Sequence, residues 1–227
     1  MLKFFRKISK YLIEISIIFI GVMMAFLADN WREENQDREG YRKIMNEIEN
    51  NIRLDSIEIL IDKSDVLKQI ECLDMFLDDS LWDKESTDGN HLASCFRLML
   101  FVDWPDYVLT GFNQLLSSKI VSDDYDGELM FRIYEYYQWT DFHYLRIGQS
   151  VTETNDLQRY LIKKGFYPEE TEAFTQRDID AFQKLREDSI FKTQLKYLRS
   201  NRKEELRIYN YMQDRSAHIL NLFREAK

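Results

Sequence analysis

Proline and glycine, the residues that most often interrupt regular secondary structure, are scarce in this chain. Two prolines, Pro105 and Pro168, and seven glycines occur among 227 residues. Proline breaks helices, glycine weakens them, and the long stretches that contain neither are typical of helices. The scarcity predicts an almost entirely helical, all-α protein.

Residues that bind metals or act as nucleophiles are also few. The three histidines, His91, His143 and His218, are isolated, and none lies at metal-pair spacing with another histidine or cysteine. There is no glycine-rich phosphate loop, no Gly-x-Ser-x-Gly and no kinase-like set of motifs. We therefore expect no catalytic residue, no cofactor, no metal site and no enzymatic activity.

The chain has only two cysteines, Cys72 and Cys95. Their midpoint falls in the acidic, turn-like segment 78–90, so an antiparallel helical hairpin with that turn would bring them level. A disulfide is chemically allowed if this part of the chain lies outside the cytoplasm. The alternative is two buried thiols that behave as small apolar side chains.

Negative charge outweighs positive charge except at the start of the chain. The net charge is −9, yet the first ten residues contain four basic side chains and no acid: Lys3, Arg6, Lys7 and Lys10. The acidity of the remainder disfavours nucleic acid as a partner and disfavours a domain that lies on anionic lipid.

A long apolar run follows this basic segment. Residues 11–28 contain one charge, Glu14, and would reach about 27 Å as a helix, enough for a thin bilayer core. Tyr11 and Trp31 sit at its ends, where aromatic rings anchor a span in the headgroups. A buried core helix and a cleaved signal peptide are the alternatives, but cleavage after Ala28 would put Phe26 where a small residue belongs.

The distribution of lysine and arginine predicts the orientation. Four such residues lie in the ten before the span and four in the twenty after it. We predict a basic cytoplasmic tail over 1–10, a transmembrane helix over 11–31, and an extracytoplasmic helical domain over 32–227.

One face of the predicted span is rich in small residues. Gly21, Ala25 and Ala28 recur at helical spacing, and Gly21 and Ala25 form a small-xxx-small pair that lets two helices approach closely. This pattern predicts a homo-oligomer, although small residues also occur in spans by chance. Glu14, on the same face, either pairs locally with Lys10 or faces a water-filled interior.

The rest of the chain predicts a helical bundle with long first and last helices. The first runs to about Leu77, and the last from Asp188 to Lys227. Shorter helices are expected over 91–102, 107–117 and 128–163, and after a cap at Thr175 or Asp178. Five polar residues fall at interior positions of the long helices, namely Asp55, Asp62, Arg202, Glu205 and Ser216.

Two further patterns bear on packing. The first long helix has apolar residues in a seven-residue pattern: Tyr41, Met45, Ile48, Ile52, Ile59, Val66 and Leu73. Six more widen this face and predict a globular partner for it: Ile44, Leu54, Ile57, Ile61, Leu67 and Ile70. The 128–163 helix is rich in aromatic residues, among them Phe131, Tyr137 and Phe142. Aromatic residues at helical spacing usually form core, and a ligand pocket is the alternative.

The run Tyr11-x-x-Glu14-Ile15-x-Ile17-Ile18-x-Ile20-Gly21-Val22-x-x-Ala25-Phe26-x-x-Asp29-Asn30-Trp31-Arg32-Glu33 resembles the opening of a Bacteroidota family of single-span membrane proteins known only as a domain of unknown function. Phe112-x-x-Leu115-x-Ser117-Ser118, followed by Leu129, Tyr134 and Tyr136-Tyr137, resembles it again. The resemblance implies a bacterial, inner-membrane, mostly helical protein and implies no activity.

Three functional classes follow from these patterns. The first is a membrane-anchored interaction or scaffold protein that self-associates through its span and offers its outer domain to a protein partner. The second is a homo-oligomeric pore or membrane effector in which Glu14 faces the pore. A hidden hydrolase in the outer domain is the least favoured.

Overall fold

The computed structural model describes residues 2–78, 88–118, 127–166 and 174–225, with side chains from residue 14 onward. These residues form six helices and no strand, as the sequence predicts. The helices are α1 (Leu2–Leu77), α2 (Gly89–Leu100), α3 (Thr110–Ser117), α4 (Gly127–Lys163), α5 (Gln176–Arg186) and α6 (Ser189–Glu225).

The contacts divide the chain into two compact units, one of residues 1–48 with 110–125 and one of 49–109 with 126–227. The first unit contains the start of α1 and all of α3. Within the described residues, α1 is the one helix that is long and apolar enough to cross a membrane. Its apolar window has a mean hydropathy of 1.5, and none of it is buried.

The second unit is built on three long helices: the end of α1, α4 and α6. Lys63 donates to Gln213 at 2.8 Å, and Asp74, further along α1, pairs with Arg199, earlier on α6. Rising numbers on α1 therefore meet falling numbers on α6, so the two helices are antiparallel. The sequence left the direction of this packing open, and the structure decides it.

The helix α4 runs antiparallel to α6 by the same criterion. Glu135, near its start, accepts from Tyr211 at 2.9 Å, and Lys164, just past its end, pairs with Asp188 at 2.8 Å. The predicted helix stop is confirmed, since Gly165 has φ +73° and closes the last turn. Only a residue without Cβ takes this left-handed conformation readily.

The far end of this unit has an aromatic core. Phe182 of α5 is fully buried among four other rings, with centroids 4.9–6.0 Å away: Phe76, Phe96, Phe166 and Phe191. Of the two caps that the sequence offered for α5, Thr175 is the N-cap, and Asp178 completes a capping box with it. Gly89 lies so close to the backbone of Phe174 that a Cβ added at position 89 would be 2.5 Å from the Phe174 carbonyl oxygen.

Several expectations about packing were wrong. Leu54, Ile57, Ile61 and Leu67 do not widen the buried face of α1, since all four are exposed. Phe131 and Phe142 of α4 are also exposed, whereas Tyr137 is buried.

The second helix ends at Leu100, and residues 101–109 form an extended segment, here called the strap, before α3 begins at Thr110.

Candidate functional site: the two faces of the first helix and a buried polar layer

The apolar window of α1 presents its side chains outward. Gly21, Ala25 and Ala28 are all exposed, and so is Glu14. A Cβ added at Gly21 would meet nothing within 4 Å. The proposed partner of Glu14, the side chain of Lys10, lies outside the described residues. A core helix of a soluble protein would be mostly buried, so the exposed window disfavours that alternative.

The second unit contains a layer of buried polar residues that holds the strap. Asp55 of α1 accepts the Val108 backbone N–H at 2.9 Å and the Tyr136 hydroxyl at 3.2 Å. The Tyr137 hydroxyl donates to the Val108 carbonyl at 3.4 Å. Because the strap lies outside the helices, side chains of the surrounding helices supply hydrogen bonds to its backbone.

An ion pair holds the start of the strap. Arg202 of α6 donates from Nη1 to both carboxylate oxygens of Glu205, at 2.9 and 2.7 Å. Its Nη2 donates to the Phe101 carbonyl at 3.1 Å, and Gln69 of α1 donates to that carbonyl at the same distance. The Ser150 hydroxyl also donates to Glu205. Helices α1, α4 and α6 therefore meet through this pair and the first carbonyl of the strap.

A second group of polar side chains lies around the only histidine of α4. His143 is fully buried, and its Nδ1 lies 2.6 Å from the hydroxyl of Tyr107, a strap residue. The Tyr209 ring packs edge-on against His143 at 4.5 Å between centroids, and its hydroxyl donates to Asp62 at 3.2 Å. These contacts again connect the strap to the long helices.

Burial shifts the acidities of this layer. It raises the pKa of Asp55 to about 6, because the ionised carboxylate is removed from water, and it does the same for Asp62. Burial lowers the pKa of His143 to about 4, because the imidazolium would also lose its hydration. Such shifts occur both at active sites and in structural clusters, so the space around them decides between the two.

That space is small. A cavity of about 20 Å³ lies beside Arg202, Glu205, Tyr209 and Gln69. This is the volume of roughly one water molecule, and it is too small for an organic substrate. Within the described residues, no group of three or more His, Cys, Asp or Glu side chains could hold a metal ion. What the layer does chemically is satisfy the backbone of the strap.

The raised pKa of Asp55 predicts a pH-dependent stability. Its pKa is higher in the folded protein than the ordinary 3.8, so folding binds a proton between about pH 4 and 6, and this contribution to stability is lost as pH rises through that window. Asp55→Asn can still accept from Val108 and donate to Tyr136. We expect its free energy of unfolding, measured relative to that of wild type, to rise by about 2–3 kcal/mol when the pH is raised from 4 to 8.

Urea unfolding of the full-length protein in mild detergent at the two pH values measures this difference. Asp156→Asn, at an exposed carboxylate on α4, controls for the loss of one negative charge. A gain from Asp55→Asn no larger than that of the control would contradict a costly buried carboxylate at position 55.

The two cysteines lie where α1 and α2 pack together. Cys72 and Cys95 form a disulfide, with Cα atoms 5.2 Å apart, and His91 lies one turn before Cys95 on α2. The bridge joins the end of α1 to the aromatic core. The turn from which the sequence predicted this pairing lies largely outside the described residues.

The feature that sequence reasoning missed is a second apolar face on α1. Leu54, Ile57, Leu60, Ile61 and Leu67 are 41–56% exposed. Leu54, Ile57 and Ile61 lie opposite the face that packs into the second unit, since each is two residues, or about 200° around the helix, from the buried Ile52 or Ile59. Leu60 and Leu67 lie beside them, since each follows a buried residue by one position, or about 100°. Two separate apolar stripes could have been recognised from this spacing, which was interpreted as one wide face.

Comparisons of the chain with protein-family models, with curated proteins and with solved structures find no match. The resemblance to the Bacteroidota membrane family therefore stays a prediction, and the fold and the surfaces described above carry the functional argument.

Proposed function

We propose that this protein is a membrane-anchored helical interaction protein that self-associates through its transmembrane helix and has no enzymatic activity. The observation that carries the proposal is the fully exposed apolar window of α1. Exposed apolar side chains over the length of a bilayer are costly in water and favourable in lipid. Within that window, Gly21 and Ala25 would let two backbones approach closely.

The proposed location is the bacterial inner membrane, in a single pass, with the N-terminus cytoplasmic and residues 32–227 periplasmic. The dense basic charge before the span supports this orientation. The Cys72–Cys95 disulfide supports it independently, because such bonds persist in the oxidising periplasm and are rare in the cytosol.

Replacing Gly21 and Ala25 together with isoleucine tests the proposed self-association. The added branches would hold the two backbones apart, so we expect the oligomer to dissociate at concentrations where wild type stays assembled. The measurement is the mass of the full-length protein in mild detergent, with the detergent contribution subtracted. An added Cβ at position 21 meets nothing within the protomer, so a loss of mass reports on a partner.

Ser16→Ile is the matched control, because position 16 lies about 140–180° around the helix from Gly21 and Ala25. Association that survives Gly21→Ile/Ala25→Ile would refute this interface. A wild-type ring of four or more subunits would favour the pore alternative and make the conductance of Glu14→Gln the next measurement.

A further inference from the structure

The exposed stripe of α1 in the second unit is defined here as Leu54, Ile57, Leu60, Ile61 and Leu67. Ile57 and Ile61 are 54% and 53% exposed, and a shallow surface groove runs along them to Ser64 and Lys68. The opposite side of the same helix already packs into the bundle through Ile52, Ile59 and Val66. A partner can therefore reach the stripe without disturbing the fold.

We infer that the stripe binds the same stripe of a second copy of this chain, with the two α1 helices parallel and in register. This inference rests on the proposed function, because two copies anchored by α1 in one membrane point the same way. Leu54 and Ile61 recur after seven residues, and Ile57 lies three after Leu54. These are the a and d positions of a parallel helix pair.

Charge at the edge of the stripe fits this arrangement. With Leu54 at an a position, Arg53 takes the preceding g position and Glu58 the following e position. In a parallel, in-register pair, the g residue of one helix faces the next e residue of the other, so Arg53 of each copy meets Glu58 of its partner. The contact is self-complementary, as a two-fold interface requires.

Lipid fits the stripe less well than a second copy. Residues 32–53, between the predicted span and the stripe, are rich in charged side chains. Burying the stripe in the bilayer would also draw Asp65 and Lys68, which flank it and pair at 2.7 Å, toward hydrocarbon. A protein surface that is apolar at its centre and charged at its rim suits this pattern better.

Cysteine cross-linking of the full-length protein in membranes tests the inference. The native cysteines are paired with each other, so an introduced cysteine reports alone. We expect Leu54→Cys to form disulfide-linked dimers on mild oxidation, and Leu145→Cys, at an exposed leucine of α4, to form few. A yield from Leu54→Cys no higher than that from Leu145→Cys would overturn the inference.

Lysine substitutions then test whether the stripe causes the contact. In the Leu54→Cys background, Ile57→Lys/Ile61→Lys should abolish the cross-link. Ile162→Lys/Ile190→Lys, at isoleucines of α4 and α6 that are 52% and 56% exposed, should leave it intact. Glu58→Arg should reduce the yield, because it would place like charges at the edge of the contact; Arg53 is left unchanged, since it also pairs with the buried Glu49 of its own helix at 2.9 Å. A cross-link that persists in Ile57→Lys/Ile61→Lys would overturn the inference.

The two proposals fail separately. If Leu54→Cys fails to cross-link while the mass falls in Gly21→Ile/Ala25→Ile, the transmembrane interface stands and the stripe contact is refuted. If the cross-link forms and depends on Ile57 and Ile61 while the mass ignores Gly21 and Ala25, the stripe contact stands and the transmembrane interface is refuted.

Discussion

Replacing Arg202 with methionine is expected to lower the free energy of unfolding by about 3–5 kcal/mol. Arg202 and Glu205 are each 1% exposed, and the guanidinium donates two hydrogen bonds to the buried carboxylate. Without it, Glu205 loses its ion-pair partner in the interior, although the Ser150 hydroxyl still donates to it. The Phe101 carbonyl would retain Gln69 as a donor, so the main cost arises at Glu205.

The double variant Arg202→Met/Glu205→Leu separates the pair from its isolated members. Two apolar side chains of similar volume leave no uncompensated charge, so we expect a stability within about 1–2 kcal/mol of wild type. Urea unfolding of wild type, Arg202→Met, Glu205→Leu and the double variant, as full-length proteins in mild detergent and followed by circular dichroism, gives the four free energies from which the coupling between the two positions is obtained.

The same helix offers a matched control. Arg207 and Glu204 also form a pair three residues apart, at 3.0 Å, but their side chains are 79% and 41% exposed. Arg207→Met should cost less than about 1 kcal/mol, since solvent screens an exposed pair. If Arg202→Met were as mild as Arg207→Met, the ion pair that holds the start of the strap would be ruled out.

Replacing Phe182 with alanine is expected to destabilise the protein by about 3–5 kcal/mol. Phe182 is fully buried and touches rings from α1, α2, α6 and the segment after α4, so its removal leaves a cavity that several elements line. Part of the cost is lost hydrophobic burial, and part is lost contact between the remaining rings and the missing one.

Unfolding in urea measures this loss as well. Phe131→Ala is the control, because Phe131 is 61% exposed on α4 and its truncation should change stability by no more than about 0.5 kcal/mol. Equal effects of the two substitutions would mean that α5 does not insert Phe182 between the other helices. Phe182→Leu, which keeps most of the apolar volume, should fall between them.

Local signals were enough to predict the helices. The end of α4 follows from Gly165, and the start of α5 follows from the Thr175–Asp178 capping box. Each of these signals acts on residues within about four positions of itself in the sequence. The scarcity of proline and glycine predicted the length of α1 and α6 for the same reason. The apolar window near the start of α1 is likewise a property of one continuous run of residues.

The strap and its partners could not be predicted in this way. Arg202 meets the carbonyl of Phe101 across 101 residues of sequence, and Asp55 meets the Val108 N–H across 53. The sequence placed Asp55 and Arg202 at interior positions but offered no partner, because a hydrogen bond between distant segments leaves no periodic trace. Only packing of the three long helices brings the donors and acceptors together.

The sequence by itself therefore determined that this protein is helical, that α1 carries an apolar segment of membrane length, and that the interior of the protein contains polar residues. Only the tertiary structure decided that Leu54, Ile57 and Ile61 stay outside the buried face of α1. Periodicity identifies an apolar face from spacing alone, whereas burial depends on which helix packs there. The bundle covers Ile52 and Ile59 and leaves Ile57 and Ile61 exposed.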